Sequence, residues 1–307
     1  MTRNTQKFLI AASIAAGVSA IASTPVFASG LQNPTISGTD YLLYDANSSS
    51  TFINPNARLD AILDGDRTSV GGNIELFASS EAVNNQSFLT SNARTTITGT
   101  IAGKTLSLSS LTASDWFNTS SGMNIRYGVN NFANRWFNDF LTASGQGTTI
   151  GTNLANLAFN TFFQIGGFQR TSDPNIAYVN TQDRDINIGL AGHFDLKAAY
   201  SRPGSGFQLF ANLLPNGFQA SEVVKATYDG QDSFLYSFVA TRSGLTNSLG
   251  VGADGISHNG NYEVSLRNVL PPQTSQRTTA STPEPSIMVG LLAVGGILVA
   301  KRRVKQA

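Results

Sequence analysis

Thr95-Thr96-Ile97-Thr98-Gly99-Thr100-Ile101-Ala102-Gly103-Lys104-Thr105-Leu106-Ser107-Leu108 is the stretch that decides the fold class of this 307-residue chain. Ile97 and Ile101 share one face of an extended segment whose other face is threonine, Ala102-Gly103 supplies a turn, and Leu106 and Leu108 resume the alternation. Period-two patterning on both sides of a tight turn predicts an antiparallel hairpin with one buried face. A second hairpin follows from Val224, Ala226 and Tyr228, the Asp229-Gly230 pair, and Phe234, Tyr236 and Phe238 returning at the same period. Single strands are expected over residues 72–78 around Ile74, Leu76 and Phe77, over Ile186, Ile188 and Leu190 as far as Gly192, and over 262–269. The segment 30–56, with Pro34, Pro55 and Ser48-Ser49-Ser50, reads as loop with one short strand around Tyr41–Tyr44.

Between the hairpins the period changes. Phe132, Trp136, Phe137, Phe140 and Leu141 recur at helical spacing against Asn134, Arg135, Asn138 and Asp139, which predicts an amphipathic helix over Phe132–Ala143. After the glycine-rich link 145–151, Leu154, Leu157, Ala158, Phe162 and Ile165 repeat the pattern. The expected fold is therefore α+β: an antiparallel sheet with hairpins, packed by two central amphipathic helices. No fixed-period repeat argues for a solenoid.

The two ends read differently from the body. Arg3 and Lys7, the apolar run 8–22 and Val26-Phe27-Ala28 have the layout of a secretory signal peptide, cleaved between Ala28 and Ser29. At the other end a Pro/Thr/Ser segment, 271–282, leads to Pro283-Glu284-Pro285, the uncharged run 286–300 and the basic residues Lys301, Arg302 and Arg303. A helix over 286–300 would be about 22 Å long against a hydrocarbon core of about 30 Å, so it would span a membrane only with its basic flank snorkelling. This tail resembles the PEP-CTERM sorting signal of Gram-negative and cyanobacterial exported proteins. The resemblance implies transient recognition by a membrane exosortase, cleavage near Pro283, Glu284 and Pro285, delivery to the periplasm, outer surface or medium, and a link with exopolysaccharide and biofilm. Residues 169–175 and 189–193 are similar to stretches of a group of cyanobacterial PEP-CTERM proteins. The expected layout is a signal peptide over 1–28, an extracytoplasmic domain over 29–270, a linker over 271–282 and a sorting signal over 283–307.

Composition narrows the function. The signal and the basic tail hold six of the 20 Lys and Arg, leaving 14 against 19 Asp and Glu. A mildly acidic body gives no electrostatic footing to nucleic acid. With no cysteine, disulfides, thiolate metal sites and thiol nucleophiles are excluded.

Several constellations carry chemically competent side chains. His193 stands two residues before Asp195, but no serine sits in a Gly-x-Ser-x-Gly elbow, so structural roles are expected for His193 and His258. A hydrolase would need a concave pocket bringing one of them to an acidic partner. Asp183, Asp185 and Asn187 have the alternate-oxygen spacing that starts a calcium loop, yet Gly189 is one place late and Phe194 stands where a bidentate Glu is required. Asp60, Asp64 and Asp66 around Gly65 form a second incomplete set, and Gly252, Gly255 and Gly260 do not follow a strand as a phosphate cradle must. Trp116, outside both helical stripes, is the one candidate for stacking on a sugar ring. No catalytic residue, metal or cofactor is expected. The leading expectation is a non-enzymatic exported surface or matrix protein, and the alternative is an exported glycan- or calcium-binding module.

Overall fold

The computed structural model describes residues 30–250 and 253–271; residues 1–28, read as a signal peptide, the cleavage pair Ala28 and Ser29, most of residues 271–282, read as a linker, Pro283, Glu284 and Pro285, the apolar run 286–300 and Lys301, Arg302 and Arg303 lie outside the described residues. In chain order, β1 (Gln32–Ser37), β2 (Tyr41–Ala46) and β3 (Ser50–Ile53) lead through helix α1 (Leu59–Leu63) to β4 (Gly72–Leu76). Helix α2 (Asn85–Thr90) precedes the hairpin of β5 (Thr96–Ile101) and β6 (Lys104–Ser109), followed by α3 (Ala113–Phe117) and the small ribbon of β7 (Asn118–Thr119) and β8 (Gly122–Met123). Then come α4 (Phe132–Ala143), α5 (Asn153–Gln164) and α6 (Gly167–Arg170), and the long pair β9 (Asn175–Gln182) and β10 (Asp185–Gly192). Helices α7 (Leu196–Tyr200) and α8 (Gln208–Ala211), the hairpin of β11 (Val224–Tyr228) and β12 (Gln231–Leu235), and β13 (Thr241–Arg242), β14 (Thr246–Asn247) and β15 (Gly260–Leu266) complete the order.

The fold is α+β with mostly antiparallel sheets. One sheet runs β1-β5-β6-β11-β12, the other β13-β15-β10-β9-β4-β2-β3-β14, and only the β3–β14 pair is parallel. Both hairpins read from sequence form, but the returning strand of the second ends at Leu235, so Tyr236 and Phe238, expected to continue it, lie beyond it and pack on the aromatic core. Ile101 pairs with Lys104 across Ala102-Gly103, and Tyr228 pairs with Gln231 across Asp229-Gly230. Both turns have positive φ at their two central residues, the conformation that matches the twist of a hairpin. The reading of 30–56 as mostly loop is corrected, because three strands lie there. Pro34 sits at an irregularity in the β1–β5 register, where a missing N–H does no harm, and Ser49 and Ser50 close the β2–β3 turn by donating backbone N–H groups to Asn47 Oδ1. Strand β9 was not anticipated at all. It lies between β10 and β4 with both faces covered, Ile176 and Val179 in the aliphatic core and Ala177 and Tyr178 packed with Ala191, so no polar alternation marks it.

The inner faces of the two sheets share one aliphatic core, with Ile97, Ile101, Leu106 and Leu108 from one sheet meeting Ile74, Ile176, Ile188 and Leu190 from the other. Helix α1 joins through Ile62 and Leu63. The helices build a second core, almost entirely aromatic, from Trp116, Trp136 and a group of phenylalanines. It reaches the first sheet through Phe132, whose ring stacks on Phe234 of β12 at 4.4 Å.

Helix α4 has the predicted bounds, with Asn131 as N-cap accepting from the Asn134 N–H at 3.0 Å. Helix α5 also forms, but its buried stripe is Ala155, Phe159 and Phe162, while Leu154 and Leu157 are 59% and 63% exposed. Asn153, Asn156, Asn160 and Gln164 form the opposite stripe and Leu157 falls among them, so the face carrying Phe159 and Phe162 is the one buried.

Candidate functional site

A cleft of about 620 Å³ opens where the aromatic core meets the larger sheet. Its position follows from a run of local choices. Helix α5 ends at Gly166, whose φ is 77°, and a Cβ on Gly167 would lie 2.4 Å from the Phe162 ring, so two glycines let the chain fold directly into α6. Helix α6 carries Gln169, whose Nε2 donates to the carbonyls of Ser80 (2.7 Å) and Ala82 (2.5 Å) and so fixes the turn Ser79–Glu81 on the opposite wall. The hydroxyls of Thr171 and Ser172 then donate back to Gly167 and Phe168 at 2.7 Å each, ending the helix. Asp173 follows directly, at the joint between the helical layer and β9.

Facing it, residues 221–223 approach β11. The Val223 N–H donates to the Thr171 carbonyl at 2.9 Å, which brings Glu222 alongside the same joint. Glu222 Oε2 accepts from the Asn175 backbone N–H (3.2 Å) and from Asn175 Nδ2 (3.3 Å). Asn175 is the register partner of Glu75 on β4, and Glu75 Oε2 accepts from the Tyr44 hydroxyl at 2.9 Å. Three carboxyl groups from three segments therefore gather at one end of the sheet, and among the described residues none of them has an ion pair within 4.0 Å.

Electrostatics follows from that. Burial pushes the Asp173 carboxyl well above the usual range, and the nearby Glu75 charge adds to it. Burial, then Asp173, then Glu75 do the same to Glu222. Glu75 is pushed up to about 7 by burial, against the opposing hydrogen bonds from Tyr44 and Asn175.

The rim is basic and aromatic. The Arg170 guanidinium lies 5.1 Å from the centroid of Phe207, which Tyr200 stacks against at 4.5 Å. Arg202 pairs with Asp254, at 3.4 Å between side chains and 2.9 Å to the backbone carbonyl. Four residues that line the cleft each carry a buried polar atom with no protein partner: Ser80 Oγ, Trp136 Nε1, Asp173 Oδ1 and His193 Nδ1.

His193 lines the cleft, but Asp195, its sequence neighbour, does not serve it. The Asp195 carboxylate caps α7, accepting from the Ala198 N–H at 3.0 Å. The acid near His193 is Asp254, whose charge opposes the downward push that burial exerts on the imidazole. No hydrogen bond links His193 to a serine hydroxyl among the described residues; Ser221 Oγ donates to the Glu222 carbonyl and Ser205 Oγ to the Tyr200 carbonyl. His258 is elsewhere, 6% exposed, with Nδ1 between Thr51 Oγ1 (2.8 Å) and Asn73 Nδ2 (3.1 Å). Burial drives its pKa down to about 4, and it ties the glycine-rich loop to β3 and β4.

Trp116 presents no face to a sugar. It is fully buried, its Nε1 donates to Ser172 Oγ at 2.8 Å, and its ring stacks on Phe132 at 4.8 Å. The capping box of Thr112 and Asp115 starts its helix, and Asp115 also binds Arg94 (2.6 Å) and Lys225 (3.2 Å), which locks the indole inward.

The oxygen-rich stretches do not converge either. Asp183 takes φ 55° in the β9–β10 turn, Asp185 accepts from the Asn268 N–H at 2.8 Å, and Asn187 accepts from Ser265 Oγ at 2.8 Å. Gly189 is explained by packing: a Cβ there would lie 2.1 Å from the Tyr178 ring laid across it. Asp60 binds Arg58, while Asp66 accepts from the N–H groups of Thr68 (2.7 Å) and Ser69 (2.9 Å). No group of three or more acidic or histidine side chains is placed to share a metal ion among the described residues, and no described helix is long and apolar enough to cross a membrane.

Comparison with family models, curated proteins and solved structures finds no match to this chain. The residues of the cleft floor were missed in the sequence. A signal was present in Glu75, a lone carboxyl inside Ile74–Phe77, and in Glu222, set directly before Val223 and Val224.

Proposed function

We propose that this chain is an exported surface or matrix protein, sorted by an exosortase through Pro283, Glu284 and Pro285 and held transiently in the membrane by residues 286–300. The observation that carries this reading is the three-part tail, paired with a signal peptide at the front of the same chain. Basic residues behind the last apolar run stay on the cytoplasmic side, which leaves the body outside. Mass spectrometry of secreted and membrane fractions tests it. The mature species is expected to begin at Ser29 and end near Pro285; intact Lys301–Ala307 in all surface material would contradict processing.

The body acts by binding, not by turnover, and the cleft favours a polar glycan as its ligand. What supports this is the concentration of unpartnered buried polar atoms on the wall of one concave site, together with aromatic and guanidinium groups at its rim. The hydrolase alternative is weakened because His193 has an acidic neighbour in Asp254 but no hydrogen-bonded hydroxyl nucleophile. A glycan array compares the wild type with Ala199→Phe, which fills the cleft from α7. Signals lost in the variant at unchanged circular dichroism support the cleft, and equal signals reject it.

A further inference from the structure

We infer that the cleft takes a ligand carrying a primary ammonium on a hydroxylated skeleton, an amino sugar, with the ammonium at Asp173 and Glu222 and ligand oxygens at Trp136 Nε1 and Ser80 Oγ. The inference rests on the binding reading above and adds the charge of the ligand. Two independent observations meet here. The first is a pair of cleft carboxyls without a cation: Asp173 and Glu222, with Glu75 behind them, have no Lys or Arg partner among the described residues, and Lys225, on neighbouring β11, is held by Asp115 (3.2 Å) and Asp232 (2.8 Å). Buried carboxyls in that condition favour either a shared proton or an incoming cation.

The second is the set of unpartnered polar atoms on side chains that are themselves almost wholly buried. Trp136 is 1% exposed and Ser80 is 5% exposed, yet Trp136 Nε1 and Ser80 Oγ lack any protein partner, and both residues line the cleft. An indole N–H can only donate, so it requires an acceptor on the ligand. A ligand with an ammonium alone would leave it unmet, and a neutral sugar would leave the carboxyls unmet.

Other ligand classes fit less well. The described carboxyls are not arranged to share a metal ion. An anion would face the floor carboxyls, and the two arginines at the rim already have partners, Arg202 in Asp254 and Arg170 in the Ser205 carbonyl at 3.4 Å. Charged or titratable groups facing the floor from the surrounding elements are Glu81 of the Ser79–Glu81 turn, Arg170 of α6, Tyr200 and Arg202 of α7 and its exit, His193 after β10, and Asp254. Arg170 opposes the upward shift of Asp173, but only as the weakest influence on it. An ammonium bound among carboxyls that hold protons displaces those protons, so binding near neutral pH releases protons to the buffer.

The test is titration calorimetry on the full chain in mild detergent at pH 6.5, with three disaccharides of one skeleton: chitobiose bearing free amines, N,N′-diacetylchitobiose and cellobiose. Chitobiose is expected to bind at least tenfold tighter than the other two, with proton release measured from buffers of different ionisation enthalpy. Asp173→Asn and Glu222→Gln, close in shape to the wild type, should each reduce that preference, and the proton release on wild type checks the claim even if a variant fails to fold. Equal or tighter binding of cellobiose or the diacetyl form overturns the ammonium assignment while leaving the cleft as a glycan site. Binding of 1,5-diaminopentane as tightly as chitobiose overturns the amino-sugar skeleton, and failure of all the probes to bind overturns both this inference and the cleft reading.

Discussion

The two cores of this protein are built from different residues and behave differently at their edges. Between the sheets, branched aliphatic side chains from twisted strands interlock; in the helical layer, large rings meet edge to face and stacked, as Trp136 does with Phe140 at 5.4 Å and Phe168 at 6.0 Å. Rings fill volume in fewer, larger units, so the boundary between an aromatic layer and a sheet is harder to close. The cleft lies at that boundary. Polar groups collect there because the chain crosses from one layer to the other at Asp173 and at Glu222.

Substitutions in the two cores test the contrast. Trp116→Ala should be the largest single loss, about 4 kcal/mol, because it opens a hole among several rings and removes the bond to Ser172. Ile188→Ala in the sheet core should cost about 3 kcal/mol. Chemical denaturation measures both. If the two proteins lost the same stability and Trp116→Ala kept its near-ultraviolet circular dichroism, the aromatic layer would not be a tightly packed core of its own.

A smaller effect of opposite sign is expected at the seam. Glu75 has its folded pKa raised to about 7 from an ordinary value of 4.5, so its contribution is fully present below 4.5 and is lost as pH rises through 7. Glu75→Gln should therefore be more stable than wild type by about 3 kcal/mol at pH 8 and indistinguishable from it at pH 4. His258 acts the other way. Its folded pKa of about 4 lies below the ordinary 6.5, so its stabilising contribution is complete above 6.5 and is lost as pH falls toward 4. The two contributions run in opposite directions over nearly the same interval and largely cancel in the wild type, so each is read from its own variant, and a stability difference between Glu75→Gln and wild type that did not change from pH 4 to 8 would contradict the Glu75 assignment.

The smallest effect is expected at Leu157. It is 63% exposed, so Leu157→Ser should change stability by less than about 0.5 kcal/mol.

What the sequence made legible and what it hid follow the same division. Alternation and turn chemistry identified β5–β6 and β11–β12, and ring spacing located α4, because each of these is a local signal carried by neighbouring residues. Strand β9 escaped since its side chains are buried on both faces and show no polar alternation, and the expected stripe of α5 included Leu154 and Leu157, which lie beside its Asn153, Asn156, Asn160 and Gln164 face. The site was the least legible part. His193 was noticed, but its acidic neighbour is Asp254 and not the adjacent Asp195, whose carboxylate is used as a helix cap. Glu75, Asp173 and Glu222 meet only after β4, β9 and the approach to β11 are brought to one end of a sheet, and no spacing along the chain encodes that meeting.

The central claim is that the seam between the two cores holds carboxyl groups with no cation of their own. Carboxyl-carbon NMR of the aspartates and glutamates across a pH titration tests it directly. Glu75, Asp173 and Glu222 should titrate above the ordinary carboxylate range, with Glu75 at about 7, and Asp173→Asn should lower the midpoints of the other two. Ordinary midpoints near 4 for all three would contradict the claim.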